Sequence, residues 1–340
     1  MNDTSKKIIT IEEQDNEQRL GRWLQQKYPH LTYAFIQKAM RTGDVRLDGK
    51  KVEGKERLVA GQQLRLPPAF HHAPEPGVMR PLSEDELKLA KWMVTYEDKS
   101  IIALNKPNGL ATQGGTKTFK HVDRLLGAFT DKYGERPKLV HRLDKDTSGI
   151  MVAAKTRNAA TYLSSAFKYR HVEKTYLALT LGVPRSYNDV IRRPLKKTST
   201  PDGEKVVVDK DEGKDAITVY SVLSFHGREV ALVALRPETG RMHQLRAHLA
   251  HIHCPILGDT KYGGIIDEGP LAEACRERLW LHALYLHLPH PDSEKTIDLY
   301  APVPKEMARW IDAWNLIVPT VTDTQKPIDP MNELTAITRV

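Results

Sequence analysis

The sequence has few of the features that mark secreted, cysteine-rich or membrane-spanning proteins. Its 340 residues contain two cysteines, Cys254 and Cys275, which excludes a disulfide scaffold or a cysteine-rich zinc module and fits a reducing compartment. No apolar run approaches the roughly 20 residues that a membrane helix needs. Residues 1–18 mix both charge signs without an apolar stretch, so we expect no signal peptide there. We therefore expect a cytoplasmic protein with no membrane contact.

Two phosphate-binding signatures are also missing. The chain has neither the GxGxxG of dinucleotide-binding folds nor the GxxxxGK[ST] of P-loop proteins. We therefore expect no nucleotide or redox cofactor. An apolar share of 40% and a charged share of 28% are ordinary for a globular protein. The length predicts about two domains.

Positive charge is concentrated near the N-terminus. The formal net charge is +8. Residues 18–67 hold 11 Lys and Arg against 4 Asp and Glu, a net +7, so the other 290 residues sum to +1. A basic module attached to a nearly neutral body is the electrostatic pattern expected for a protein that binds a nucleic-acid backbone. On charge alone, a solvated surface with a chance excess of lysine is the alternative.

The basic segment 18–67 has the pattern of a small folded unit. Apolar residues recur at helical spacing in two stretches, which predicts two helices, the second capped by Thr32 and ended by Gly43. Short extended pieces at 45–47 and 63–66 predict a hairpin sheet after them. We expect the following cations around the helix end and the strands to meet RNA phosphates: Lys38, Arg41, Arg46, Lys50 and Lys51.

A change in composition separates this module from a second domain. Residues 68–90 are rich in proline and histidine, which is typical of a semi-rigid linker. Over 91–318 strands outnumber helices and do not alternate strictly with them. This predicts an α+β fold with a mixed, mostly antiparallel sheet flanked by helices. The polar stretch 184–215 is typical of a loop insertion, and 319–340 of a loosely ordered tail.

The segment HRLDKDTSG, residues 141–149, is the strongest candidate for a site. It precedes a predicted strand at 150–154, and polar, turn-rich segments between strands often carry functional residues. If the chain is extended there, Arg142 and Asp144 point to the same face. Taken alone, the segment is equally compatible with an ordinary loop in which the arginine pairs with the aspartate.

Four segments of the second domain resemble, in order, the motifs of the RluA-type pseudouridine synthases. They are LNKPNGL at 104–110, HRLDKDTSG at 141–149, KTY at 174–176, and TGRMHQLR at 239–246 followed by PILGD at 255–259. The basic module resembles the S-four-type RNA-binding domain that many members carry in front. The resemblance covers about residues 18 to 315. The layout is most similar to the RluC-type branch, which acts on large-subunit (23S) ribosomal RNA.

The resemblance implies an RNA pseudouridine synthase, an isomerase that breaks the N1–C1′ bond of uridine and rejoins the uracil through C5. It implies Asp144 as the catalytic carboxylate, acting as a nucleophile or as a base, and Tyr176 against the flipped uracil. A buried carboxylate tends to become protonated, and Arg246 is implied as the ion-pair partner that keeps it charged. Arg142 and His141 are implied in base flipping and RNA contact. Nothing is oxidised in this reaction, so neither a cofactor nor a metal is expected.

Other interpretations stay open on the residues themselves. The basic module alone would suit a non-catalytic ribosomal RNA binder, and transfer RNA is the alternative substrate. By position alone, Tyr176 also fits a core strand and Arg246 a surface helix. A metal-dependent hydrolase is a further alternative, because several possible ligands are crowded together: His243, His248, His251, His253 and Cys254. No carboxylate lies among them, so we expect no metal site there. Separately, we expect the protein to act as a monomer.

Overall fold

The chain divides into two compact units, Met1–Pro81 and Leu82–Val340. The computed structural model describes residues 7–28, 31, 33–70, 81–114, 120–200, 203–269 and 271–318. Thr32, the predicted helix cap, and the predicted tail 319–340 lie outside these residues. Within these ranges, no helix combines the length and the apolar composition that crossing a membrane requires.

The first unit combines two helices with a four-stranded antiparallel sheet in its described part. Its elements are β1 (Lys7–Thr10), α1 (Leu20–Lys27), α2 (Tyr33–Thr42), β2 (Arg46–Leu47), β3 (Lys50–Lys51) and β4 (Gln63–Leu66). The apolar sides of both helices and of β4 close a core of their own, with Leu24, Met40 and Leu64 fully buried or nearly so. Sequence analysis missed β1, which pairs with β4, so the unit begins before residue 18.

The predicted linker is too long at its C-terminal end. Ser83 caps a helix, α3 (Glu84–Trp92), and its hydroxyl accepts the N–H of Glu86 while the Glu86 carboxylate accepts the N–H of Ser83. Such a reciprocal capping box fixes the start of a helix. This helix belongs to the second unit, so the prediction that the second domain begins at residue 91 is wrong.

Among the described residues of the second unit, ten strands form one sheet, mixed and mostly antiparallel as predicted. The strands of this unit are β5 (Val94–Glu97), β6 (Ile101–Lys106), β7 (Lys138–Leu139), β8 (Ser148–Ala154), β9 (Glu173–Leu181), β10 (Asn188–Arg192), β11 (Leu195–Thr200), β12 (Gly203–Val208), β13 (Ile217–His226), β14 (Val230–Pro237), β15 (Leu281–Pro289) and β16 (Thr296–Tyr300). The sheet runs β10-β13-β14-β9-β15-β8-β6-β5, with β16 beside β15 and β7 beside β8. The pair β15–β8 is parallel and the other pairs are antiparallel.

Helices flank this sheet and build two apolar clusters. Besides α3 they are α4 (Val122–Leu125), α5 (Arg157–Lys168), α6 (Gln244–His251), α7 (Ala272–Glu277) and α8 (Lys305–Ala313). One cluster joins β9, β13 and β14 to α6, α7 and α8, and the other joins β6 and β8 to α4 and α5. Tyr176 on β9 packs against both clusters, so it marks the seam between the two halves of the sheet.

Residues 184–215 are not the loop that their polarity predicted. β10 pairs with β13 at the edge of the sheet, and β11 and β12 form a separate two-stranded hairpin. In β11 one side chain, Leu195, is buried and the other five are exposed or half-buried. A strand with solvent on both faces has no apolar alternation, so the period-two signal that identifies strands is missing.

Candidate active site

A cleft of about 400 Å³ opens at the seam of the second unit. Its walls come from the loop that precedes β8, from the start of β9 and from the segment that leads into α6. Every residue predicted for the site in this domain lines it: His141, Arg142, Asp144, Tyr176 and Arg246. The volume lies in the range of small-molecule sites, roughly 300–1,000 Å³. Three motifs that are far apart in the sequence therefore meet in one place.

The loop that carries Asp144 is held by its backbone. The Thr112 hydroxyl accepts the N–H of Leu143 at 3.2 Å and donates to its carbonyl at 2.6 Å. Gly149 follows the loop at φ +115°, and a β-carbon there would lie 2.1 Å from the carbonyl oxygen of Ala283. This close approach arises because β8 runs parallel against β15 at that point. The glycine that ends the motif is therefore required by packing.

A buried lysine supports the same loop. Lys106, at the end of β6, is fully buried, and its ammonium donates to three backbone carbonyls, one of them that of Lys145 at 2.9 Å. This bond ties the LNKPNGL segment to the loop of Asp144. Burial lowers the pKa of Lys106 to about 7, and the negative charges of Asp146 and Asp144 act against that shift.

The Asp144 carboxylate faces the cleft with little direct support. Its side chain is 24% exposed, and its Oδ2 lies 3.9 Å from Nε2 of His243. That separation is too long for a hydrogen bond. Among the described residues, no group donates a hydrogen bond to this carboxylate. Its charge is therefore open toward the cleft, where a substrate would enter.

Arg246 does not make the predicted contact with Asp144. Its Nε and Nη2 each donate to Asp259, over 2.7 Å, and both side chains are buried. The N–H groups of Lys261 and Tyr262 also bind the Asp259 carboxylate. Burial opposes the charge of Arg246, but the bonds to Asp259 and the negative charges of Asp259 and Asp144 raise its pKa. The guanidinium therefore acts on Asp144 through its electric field and is oriented by Asp259.

Tyr176 lies at the seam with its ring half-buried. Burial and the negative charge of Asp144 raise the pKa of Tyr176 far above its ordinary value, so its hydroxyl stays protonated at neutral pH. Within the described part of the chain this hydroxyl has no hydrogen-bond partner. The structure therefore presents a flat ring and a free polar group to the cleft.

The residues His141 and Arg142, which precede Asp144 in the motif, have different surroundings. His141 accepts the N–H of Val152 through Nε2 at 2.9 Å and stacks on Phe167 at 4.3 Å between ring centroids. Burial lowers the pKa of His141 to about 3, so the ring is neutral. Its bonded nitrogen supports the loop, and the RNA contact of His141 stays a prediction. Arg142, in contrast, is exposed at the cleft and has no polar partner among the described residues.

The two histidines on α6 itself are engaged in other contacts. His248 is buried, with Nδ1 at 2.9 Å from the Thr218 hydroxyl and Nε2 at 3.0 Å from the carbonyl of Arg193. His251 accepts a hydrogen bond from the Arg193 guanidinium. Across the ranges that the structure describes, no three His, Cys, Asp or Glu residues are grouped so that they could hold a metal ion. Sequence analysis placed His243 in this group and missed its position beside Asp144.

The predicted cations of the first unit fall into two kinds. Four of them, Lys38, Arg41, Lys50 and Lys51, are exposed. Arg46 is half-buried, and its guanidinium donates to the backbone carbonyls that flank it, at residues 43 and 49. Arg46 therefore closes the turn between α2 and the β2–β3 hairpin. This structural role was not predicted from the sequence, which indicated a phosphate contact.

Comparisons with known proteins show the family to which the chain is similar. Residues 100–251 match the model of the RNA pseudouridylate synthase family. The chain is 40% identical over 249 residues to ribosomal large subunit pseudouridine synthase C of Rickettsia bellii, which covers 72% of this chain and 82% of the relative. The protein of the same name from Pasteurella multocida is 32% identical over 312 residues, or 90% of this chain and 93% of the relative.

A solved structure extends the agreement to the fold. Human RNA pseudouridylate synthase domain containing 4 matches with a TM-score of 0.59 and 29% identity, over 69% of this chain and 99% of that one. The chain belongs to the RNA pseudouridylate synthase family. The family that the motifs predicted is therefore confirmed.

Proposed function

We propose that this protein isomerises uridines in large-subunit ribosomal RNA to pseudouridines, with Asp144 as the catalytic carboxylate. The observation that carries the proposal is the Asp144 carboxylate in the cleft wall, with its charge open toward the cavity that Tyr176 also lines. The reaction breaks the N1–C1′ bond, forms a C5–C1′ bond and moves one proton from C5 to N1. Atoms and electrons balance without a further reactant.

A single carboxylate suits a reaction that must exclude water. Glycoside hydrolases use two carboxylates, and inverting ones leave room for a water molecule between them. The other carboxylate of this loop, Asp146, is exposed and does not line the cleft. Asp144 serves either as nucleophile at the ribose or as base on it, and both roles need the charged form. The positive charge of Arg246 interacts with the negative charge of Asp144 at this site.

The target uridine must leave its stack to reach Asp144. Flipping a base out of folded RNA costs a few kcal/mol. Arg142, exposed at the cleft and without a polar partner among the described residues, is suited to fill the vacated place in the RNA. The Tyr176 ring is suited to lie against the flipped uracil, since aromatic stacking on a base contributes about 1–3 kcal/mol.

The proposed substrate follows from the relatives and from the first unit. The relatives from Rickettsia bellii and Pasteurella multocida are named for the ribosomal large subunit, which favours that RNA over transfer RNA. The exposed cations of the first unit, Lys38, Arg41, Lys50 and Lys51, would contact its phosphates. We further propose that the protein works in the cytoplasm as a monomer.

The decisive experiment replaces the carboxylate by its amide. We expect Asp144→Asn to lower pseudouridine formation on large-subunit ribosomal RNA about a thousandfold or more, because the amide carries no charge. RNA affinity should stay within a few fold. Asp146→Asn, in the same loop and exposed, is the matched control and should keep most of the activity. Chemical mapping of pseudouridines measures the activity of both variants. Turnover by Asp144→Asn would refute the assignment, and modification of transfer RNA alone would refute the substrate.

A further inference from the structure

His243 occupies a constrained position beside Asp144. It immediately precedes α6 and adopts a left-handed backbone conformation, φ +48°, that residues with a β-carbon rarely adopt. Its side chain is 13% exposed. Such a conformation persists where the surroundings fix it, and it places the imidazole between Asp144 and Tyr262. The imidazole is therefore directed into the cleft by its backbone.

The Tyr262 hydroxyl lies where it can select the nitrogen of His243 that carries the hydrogen. The Tyr262 hydroxyl accepts the backbone N–H of Val206, on strand β12, at 2.9 Å. Its own hydrogen is then available to Nδ1 of His243, which lies 3.1 Å away. When Nδ1 accepts, a neutral imidazole carries its hydrogen on Nε2. That nitrogen is the one that lies 3.9 Å from the Asp144 carboxylate.

Burial keeps this imidazole neutral against the negative charge of Asp144. Burial lowers the pKa of His243, Asp144 acts in the opposite direction, and the positive charges of Arg246 and Lys261 lower it further. Asp259, the remaining charged group close by, raises it less. A neutral ring supplies a directed N–H to Asp144 without a second positive charge.

We propose that His243 is a positioning residue for Asp144, and that Tyr262, held by the β12 backbone, keeps its imidazole in the tautomer that presents Nε2–H to the carboxylate. This rests on the proposed function, since it assigns His243 a task at the catalytic carboxylate. The two atoms must approach by about 0.7 Å from the observed 3.9 Å to reach hydrogen-bond distance. The bond would fix one carboxylate oxygen and leave the other directed at the ribose.

The geometry also separates the tasks of two neighbouring groups. Arg246 is bound to Asp259 and supplies a fixed positive field. His243 contributes direction, because a hydrogen bond, unlike a field, favours one orientation of the carboxylate. Errors of about 1 Å in the placement of a reacting group can cost a hundredfold in rate.

Single-turnover rates at saturating ribosomal RNA test the proposal in the full-length protein. We expect His243→Ala to lower the rate about tenfold to a hundredfold with RNA affinity unchanged. His243→Gln keeps an N–H near the Nε2 position and should restore the rate to within a few fold of the wild type. Tyr262→Phe, which removes the hydroxyl alone, should lower the rate severalfold.

His253→Ala is the matched control. His253 follows the other end of α6, has the same left-handed backbone, φ +60°, and is exposed. Its replacement carries a similar backbone change without touching the cleft, so the rate should not change. A rate loss equal to that of His243→Ala would mean that strain at the ends of α6, and not the imidazole, causes the effect, and this would overturn the proposal.

Nitrogen-15 NMR of the histidine rings tests the tautomer directly. The wild type should show His243 with its hydrogen on Nε2, and Tyr262→Phe should shift the population toward Nδ1. The proposal is overturned if the hydrogen resides on Nδ1 in the wild type, if His243→Ala keeps the full rate, or if His243→Gln is no better than His243→Ala. Activity in Asp144→Asn would instead refute the proposed function, so the two failures are distinguishable.

Discussion

Two groups of cations in this protein, one in each unit, act in opposite ways. In the first unit, Lys38, Arg41, Lys50 and Lys51 expose their charges to solvent. In the second, Lys106 and Arg246 are buried, and each is bound to named acceptors. Exposed cations attract phosphates over a distance and are screened by salt. Buried cations cannot reach a phosphate. Arg246 acts on the Asp144 carboxylate through its electric field, and Lys106 holds the loop that carries it.

Because Lys106 and Arg246 are buried, the stability of the second unit depends on the groups that bind them. A buried charge is tolerated because its partner compensates for the lost hydration, and removing the partner leaves that loss uncompensated. An exposed charge keeps its hydration, so its removal changes stability little. Variants at the two kinds of site should therefore separate stability from RNA binding.

The largest effect is expected for Asp259→Asn. Arg246 would then be buried beside a neutral amide, and breaking a buried ion pair costs about 3–5 kcal/mol of unfolding free energy. Urea denaturation followed by circular dichroism measures it. The activity should fall as well, because the guanidinium loses its orientation. A loss of stability below about 1 kcal/mol, the range of surface pairs, would show that this pair behaves like an exposed one.

A double variant separates the loss of stability from the loss of activity at the Arg246–Asp259 pair. Replacing both partners of a buried ion pair by apolar residues of similar volume is often neutral for stability. Asp259→Asn with Arg246→Met, in which an amide oxygen still accepts the N–H groups of Lys261 and Tyr262, should by the same argument recover most of the unfolding free energy that Asp259→Asn alone loses. The activity should not recover, since the guanidinium near Asp144 is gone. Recovered activity would contradict the role of Arg246.

Lys106→Met should have the next largest effect. The variant removes the donor of three backbone carbonyls, one in a buried bond and two in part-buried bonds, and one unsatisfied buried group costs about 1–3 kcal/mol. We expect a loss of about 2–4 kcal/mol and a slower reaction, because the Lys145 carbonyl belongs to the loop of Asp144. Urea denaturation measures the loss of stability, and the rate of pseudouridine formation measures the slower reaction.

The lowered pKa of Lys106 predicts the direction in which the unfolding free energy changes with pH. Its pKa is about 7 in the folded protein against an ordinary value of 10.5, so the unfolded chain holds the extra proton between these limits. Stability rises with pH wherever the unfolded state binds more protons. The unfolding free energy of the wild type should therefore rise, relative to that of Lys106→Met, as the pH goes from about 7 to about 9. Parallel curves would contradict the lowered pKa.

Sequence analysis recovers the parts of this molecule whose signals are local. The strands with one buried face or two, such as β9 and β14, are apparent from their apolar content. The hairpin β11–β12 has solvent on both faces and gives no such signal. The helix α3 could have been found, because Ser83 and Glu86 stand at capping-box spacing.

The difference between local signals and tertiary packing also decides which contacts of the site could be predicted from the sequence. The loop of Asp144 is contiguous in sequence, so the motif that carries it is visible at once. The partner of Arg246 is Asp259, on a turn beyond the end of α6, and no local pattern indicates which carboxylate a guanidinium will meet. His243 beside Asp144 depends likewise on how α6 packs against the sheet. Pairings made by tertiary packing are invisible to periodicity and spacing.

The smallest effect on stability is expected for the exposed charges, where RNA binding should change instead. Lys50→Gln with Lys51→Gln should alter the unfolding free energy by no more than about 0.5 kcal/mol per residue. For every phosphate that a removed lysine had neutralised, the slope of log K against log salt should become shallower by about 0.7–0.9. Lys27→Gln with Lys55→Gln removes the same charge from cations already paired with Asp15 and Glu53, and should change the slope less. Equal slopes in the two double variants would mean that net charge alone, and not the β3 surface, attracts the RNA.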